Sequence, residues 1–162
     1  MNTDLTGRRA LVCGGSKGIG LAIAHELADL GASVTLLARD TDAMQRACAE
    51  LNRSQSQSHD FLAADFFDSR TLRELVSNSA SEHRYEILIN NTGGPPGGKA
   101  IDAGPEEFVR AFEAHLLCNQ ALVQTLVPGM KDAGYGRVIN IISTSVKAPI
   151  PGLVAQVLVA PG

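Results

Sequence analysis

A five-residue apolar run, RALVC at 9–13, passes directly into CGGSKGIG at 13–20. A segment with apolar residues at helical spacing follows, with Ile19, Ile23, Leu27 and Leu30 on one stripe and Gly31 as the stop. A strand that turns at once into a helix is a strongly constraining unit. It commits the chain to return to the sheet by a crossover, and hence to parallel pairing.

The unit recurs. SVTLLA at 33–38 predicts a second strand, and Thr41 or Asp42 can cap a helix over 43–52. FLAAD at 61–65 predicts a third strand, followed by a helix capped by Asp68 or Ser69 and running to about residue 80. EILINN at 86–91 is the fourth strand, and a glycine- and proline-rich loop covers 93–104. Pro105 suits a first helical position, with Glu106 and Glu107 favourable to the helix dipole, and this helix is expected to reach Leu126. GRVINII at 136–142 is the fifth strand. Strands alternating with helices, and apolar on both faces, predict a Rossmann-type doubly wound parallel α/β sheet of about five strands. Its ligand is expected beyond the carboxyl ends of the strands.

Gly14, Gly18 and Gly20 form a G-x-x-x-G-x-G pattern in the first turn. Small residues there let the chain turn sharply and let backbone approach a pyrophosphate, while the helix N-terminus offers N–H groups to phosphate. A tight turn with no ligand would use the same glycines, but the strand–glycine–helix context points to dinucleotide binding. The second strand ends in LLARD. Arg39 there, with Lys17 in the glycine loop, favours the 2′-phosphate of NADP. NAD stays open, with Asp40 on the ribose and both cations solvated.

Composition removes other classes. A net charge of −3 gives no reason to expect nucleic acid or an anionic membrane as partner. No apolar run approaches membrane-spanning length, and MNTDLTGRRALVCGG lacks the apolar core of a signal peptide. Cys13, Cys48 and Cys118 are odd in number and far apart, as expected of buried thiols in a cytoplasmic protein. His25, His59, His83 and His115 have no metal-ligand spacing.

The glycine pattern, AADFFD, NNTGG and GRVINIIS occur in the order and spacing of the short-chain dehydrogenases/reductases. Over residues 7 to about 152 the chain resembles that family, with a likeness to a divergent branch of the 3-oxoacyl-carrier-protein reductase-like members. The resemblance implies hydride transfer between a nicotinamide and a small-molecule carbonyl or alcohol. It implies that Gly14, Ser16, Lys17, Gly18, Ile19 and Gly20 contact the diphosphate side, and that Arg39 selects the 2′-phosphate. Asp65 would sit at the adenine ring with Phe66 beside it. Asn91 and Gly93 would lie along the cofactor, and Ser143 would orient the substrate carbonyl. The residues alone allow blander roles: Asp65 capping a strand end, Asn90 and Asn91 tying strands together, Ser143 bonding its own loop.

The family pattern also implies a tyrosine proton donor, a lysine one turn later and an asparagine in the long helix. Gln156, Ala160 and His115 stand at those positions. A glutamine amide does not usefully ionise and cannot replace a phenol. Tyr85 and Tyr135 both precede strands. His115 and Lys147 are the remaining candidates to move a proton, though a satisfied helix histidine and a solvated loop lysine are the plainer readings. Thr92 replaces the alanine of the usual NNAG.

The expectation is one NAD(P)-binding domain over 1–162, with a divergent tail at 152–162 and C-terminal truncation relative to the family. The fifth strand would then be an uncovered edge, favouring homo-oligomers. Three functions follow: an NADP-dependent reductase of 3-oxoacyl-like carbonyls with impaired activity, an inactive dinucleotide-binding fragment or pseudoenzyme, and an S-adenosylmethionine-dependent methyltransferase on a similar sheet.

Overall fold

The computed structural model describes residues 3–94, 99, 101–144, 147 and 148. Five parallel strands form one sheet in the order β3-β2-β1-β4-β5. They are β1 (Arg9–Cys13), β2 (Ser33–Ala38), β3 (Asp60–Ala63), β4 (Ile87–Asn90) and β5 (Arg137–Asn140). The helices are α1 (Gly18–Asp29), α2 (Thr41–Glu50), α3 (Ser69–Glu82), α4 (Pro105–Phe112) and α5 (Cys118–Asp132). This is the doubly wound sheet the alternating pattern predicts.

Both faces of the sheet are covered, because successive strand residues point to opposite sides. Ala10, Val12, Val34, Leu36, Ile87 and Ile89 pack with Ala24 and Ala28 of α1 and with Met44 and Ala47 of α2. Leu11, Cys13, Leu37 and Leu88 pack on the other side with Leu72 and Val76 of α3 and with Cys118, Leu122 and Leu126 of α5. β5 is the outermost strand among the described residues, and all four of its residues are exposed. The expected tail at 152–162 lies outside the described residues.

Three local expectations are corrected. In α1 the fully buried face is Gly20, Ala24 and Ala28, whereas Ile19 is 61% exposed and Leu30 is also exposed. Small side chains win there because they let the helix lie close to β1 and β2. In α2 the cap is Asp40 rather than Thr41 or Asp42, and the helix starts at Thr41. Asp40 is extended, and its Oδ1 accepts from the Ala43 amide at 2.9 Å, satisfying a first-turn donor. The helix after Pro105 runs past Leu126 to Asp132, with a π-helical turn at Glu113–Leu117 between α4 and α5. Periodicity of 3.6 cannot announce the extra residue that a π turn inserts.

Asn90 and Asn140 are register partners at the ends of β4 and β5, and Asn90 Nδ2 donates to Asn140 Oδ1 at 2.8 Å. The parallel pairing therefore brings the carboxyl ends of all five strands to one side of the molecule. Every candidate site residue from the sequence follows one of those ends or starts α1.

Candidate functional site

The glycine loop is shaped by two different demands. Gly14 and Gly18 have φ of +62° and +57°, the left-handed region that glycine enters without a Cβ penalty. Gly14 and Gly20 are also crowded. A Cβ on Gly14 would lie 2.6 Å from the Asn91 carbonyl oxygen, and one on Gly20 would run into the Gly14 carbonyl. Asn91 is the block around which the loop folds, and its Nδ2 donates to the Cys13 carbonyl at 3.2 Å. This is the strand-tying role, made from β4 to the end of β1.

Gly18 meets nothing within 4 Å in the direction of a Cβ. Lys17 precedes α1 in extended conformation and makes no side-chain capping bond, and its side chain is exposed. The first amides of α1 are thus left without a side-chain acceptor, an arrangement that suits an anion. Ser16 is half-buried beside it.

A cavity of about 420 Å³ lies beyond the carboxyl ends of the strands, and none of Gly14, Ser16, Lys17, Gly18, Ile19 and Gly20 lines it. Arg39 from the end of β2, Asp65 and Phe66 from beyond β3, and Gly93 from beyond β4 all line it. So do residues that sequence reasoning did not place at a site: Phe67, Glu107 and Arg110. Nothing in the sequence signals Arg110, because only the packing of α4 against the loop after β3 brings it there.

That loop is held firmly. The Cys118 thiol donates to the Phe66 carbonyl at 2.9 Å, and burial pushes its pKa up to about 12, so the proton stays on sulfur. The Ser69 amide donates to Glu113 Oε1 at 3.0 Å. The Phe67 amide donates to Asp65 Oδ1 at 3.2 Å, and the Arg110 guanidinium lies 4.5 Å from the centroid of the Phe67 ring. Arg39 has no carboxylate within ion-pairing distance among the described residues, while its neighbour Asp40 is engaged as the α2 cap. Glu107 Oε1 accepts from the Gly104 amide at 3.3 Å and caps α4.

His115 projects from the π turn and also lines the cavity. Its Nδ1 lies 2.7 Å from Thr92 Oγ1, and burial lowers its pKa. The two departures from the usual family pattern, Thr92 and His115, therefore contact each other. His59 is lowered as well, chiefly by burial, and its Nδ1 accepts from the Val34 amide. Both rings are held neutral in the fold. The unfolded chain then takes up protons first as pH falls below the ordinary histidine value of about 6.5. Melting temperature is therefore expected to fall between about pH 6.5 and 5, and His115→Gln is expected to flatten part of that slope. A melting temperature that stays level or rises as pH falls through that window would refute the assignment.

Ser143 is half-buried beyond the end of β5 and does not line the cavity. Lys147 is exposed, and its amide donates to the Thr144 carbonyl at 3.1 Å. Gln156 and Ala160 lie outside the described residues. Among the described residues no group of histidine, cysteine and carboxylate side chains could hold a metal, and no helix is long and apolar enough to cross a membrane.

The family model for short chain dehydrogenases matches residues 8–155. The ketoacyl reductase HetN of Nostoc is 29% identical over 146 residues, covering 90% of this chain and 50% of the relative. The solved L-sorbose reductase of Gluconobacter frateurii, complexed with NADPH and L-sorbose, superposes with a TM-score of 0.91 at 27% identity, over 98% of this chain and 61% of that one. An NADP-bound 3-oxoacyl (acyl-carrier-protein) reductase from Agrobacterium tumefaciens gives 0.85 at 26%, over 98% and 61%. The chain spans about half the length of the curated relatives it matches.

Proposed function

The chain belongs to the short chain dehydrogenase family, and on that premise we propose that residues 1–162 form one domain that binds NADP(H), as the coenzyme-holding part of a carbonyl reductase. The observation that carries this reading is Arg39. It lines the cavity beside Asp65 without a carboxylate partner among the described residues, while Asp40 is spent on capping α2. A cation without a partner next to a carboxylate suits a phosphorylated ribose joined to a base.

The residues fit a dinucleotide. Gly14 and Gly20 make the close-packed turn and Gly18 its left-handed step, with Ser16, Lys17 and Ile19 at the uncapped start of α1 for the diphosphate. Arg39 takes the 2′-phosphate. Asp65 and Phe66 take the adenine, and Asn91 and Gly93 border the remainder. When bound, the coenzyme supplies a hydride to a carbonyl carbon. Ser143 orients the carbonyl oxygen of a 3-oxoacyl-like substrate, the class suggested by the ketoacyl and 3-oxoacyl reductases among the relatives.

A second reading rests on Gln156 and Ala160, near which the sequence resemblance puts the family's tyrosine and lysine positions. In it the chain binds coenzyme without turnover, because loss of a positioned general acid costs about 10²- to 10⁴-fold. The methyltransferase alternative has no support in the family match. The exposed β5 edge supports self-association, and a clean monomer by light scattering at high concentration would count against it.

Titration followed by NADPH fluorescence is the direct test. Saturable enhancement is expected, and a flat signal up to millimolar NADPH would overturn the function. Consumption of NADPH with a 3-oxoacyl thioester then separates the two readings: oxidation supports the reductase, and binding without oxidation supports the coenzyme-holding chain.

A further inference from the structure

The cavity that Arg39 lines also carries a pairing that no sequence motif announces. Phe67 orients two polar groups at once. Its amide holds the Asp65 carboxylate at 3.2 Å, and its ring carries the Arg110 guanidinium at 4.5 Å from the centroid. Asp65 and Arg110 line the same cavity and make no ion pair with each other. An acceptor and a set of donors are thus held apart rather than allowed to neutralise one another.

Stacking engages one face of a guanidinium and none of its in-plane N–H groups. The Arg110 guanidinium makes no hydrogen bond or ion pair among the described residues, so its fork of donors remains for a ligand. The Watson–Crick edge of adenine presents the N6 amino donor beside the N1 acceptor. A carboxylate for the amino group and a guanidinium for the ring nitrogen complement that edge. A 6-oxo purine reverses both contacts, setting a carbonyl oxygen against the carboxylate and an N1–H donor against the guanidinium.

We propose that Arg110, seated on Phe67, is a specificity-determining residue that reads the adenine edge together with Asp65. The inference rests on the coenzyme-binding reading above and goes beyond it. It assigns base discrimination to a residue of α4 and gives Phe67 the task of setting the geometry of both partners. The guanidinium at the 2′-phosphate, Arg39, comes from a different strand end and has a separate effect.

The test compares NADPH, NADH and reduced nicotinamide hypoxanthine dinucleotide phosphate by fluorescence titration of the 162-residue protein. The parent is expected to prefer NADPH over the hypoxanthine analogue by roughly tenfold or more, the scale of a good edge contact. Arg110→Leu is expected to weaken NADPH and NADH by the same factor, about tenfold, and to shrink the preference over hypoxanthine. Phe67→Leu keeps the charge but removes its platform, and should lose part of the same preference. Circular dichroism confirms that each variant is folded. A selective loss of NADPH in Arg110→Leu would overturn the proposal and move Arg110 to the 2′-phosphate. An unchanged base preference in both folded variants would overturn it outright. Failure of the parent to bind any of the three would instead sink the coenzyme reading and this inference with it, a result distinct from binding without base preference.

Discussion

Gly20→Val is expected to abolish coenzyme binding and to lower the melting temperature by roughly 10 °C, from about 3 kcal/mol of overpacking in a chain of this size. Any Cβ at position 20 runs into the Gly14 carbonyl and comes within 2.9 Å of Asn91 Nδ2. Neither neighbour can give way cheaply. Gly14 is backbone at the end of β1, and the Asn91 amide is fixed by its bond to the Cys13 carbonyl. Relief requires α1 to move away from the sheet, which uncovers Ala24 and Ala28, both fully buried. It also displaces the uncapped first turn that would meet the diphosphate. Gly18→Ala is the informative contrast, because that position is open and its cost is the positive φ alone, on the order of 1 kcal/mol. Thermal melts and NADPH titrations of the two variants check the pair. Equal melting temperatures for Gly20→Val and the parent would show that α1 does not depend on this close approach.

The glycines and the parallel pairing of the strands were legible because each is dictated locally. A strand that becomes a helix across a few residues needs Gly14, Gly18 and Gly20, and alternation with helices forces parallel pairing. Capping was legible in kind but not always in position. Asp68 caps α3 as expected, but Asp40 takes the role expected of Thr41 or Asp42, since several residues at that turn can supply the oxygen. The stripe of α1 was half right, since Ile23 and Leu27 pack on the core while Ile19 and Leu30 are exposed, because hydrophobic periodicity weighs large side chains above alanine and glycine. Tight helix–sheet packing weighs them the other way. The pairing of Arg110 with Phe67 at the cavity was not legible at all. Arg110 and Phe67 are distant in sequence, belong to no shared motif and meet only after α4 packs on the loop behind β3. The same applies to Thr92 and His115, each noticed as a departure but not as contacting partners.

Arg39→Glu is expected to weaken NADPH by roughly 100-fold while changing NADH by no more than a few-fold. Losing charge-assisted hydrogen bonds to a phosphate is worth about 1.5–3 kcal/mol, and each 1.4 kcal/mol is tenfold in affinity. A carboxylate in its place adds repulsion against the 2′-phosphate, and that repulsion should weaken as salt is raised. The selectivity follows from the local structure more than from the charge count. Asp40 cannot readily turn toward a ribose, because its Oδ1 holds the Ala43 amide and starts α2. On the proposed reading, Arg39 is the residue at the end of β2 that is left to sort the two coenzymes. Parallel titrations with NADPH and NADH measure this directly, and equal losses for both would refute the role of Arg39. The comparison also separates the two guanidinium groups of the cavity. A 2′-phosphate contact changes one coenzyme, whereas a base contact at Arg110 changes both alike, so the pair of variants assigns each cation to its own end of the adenosine.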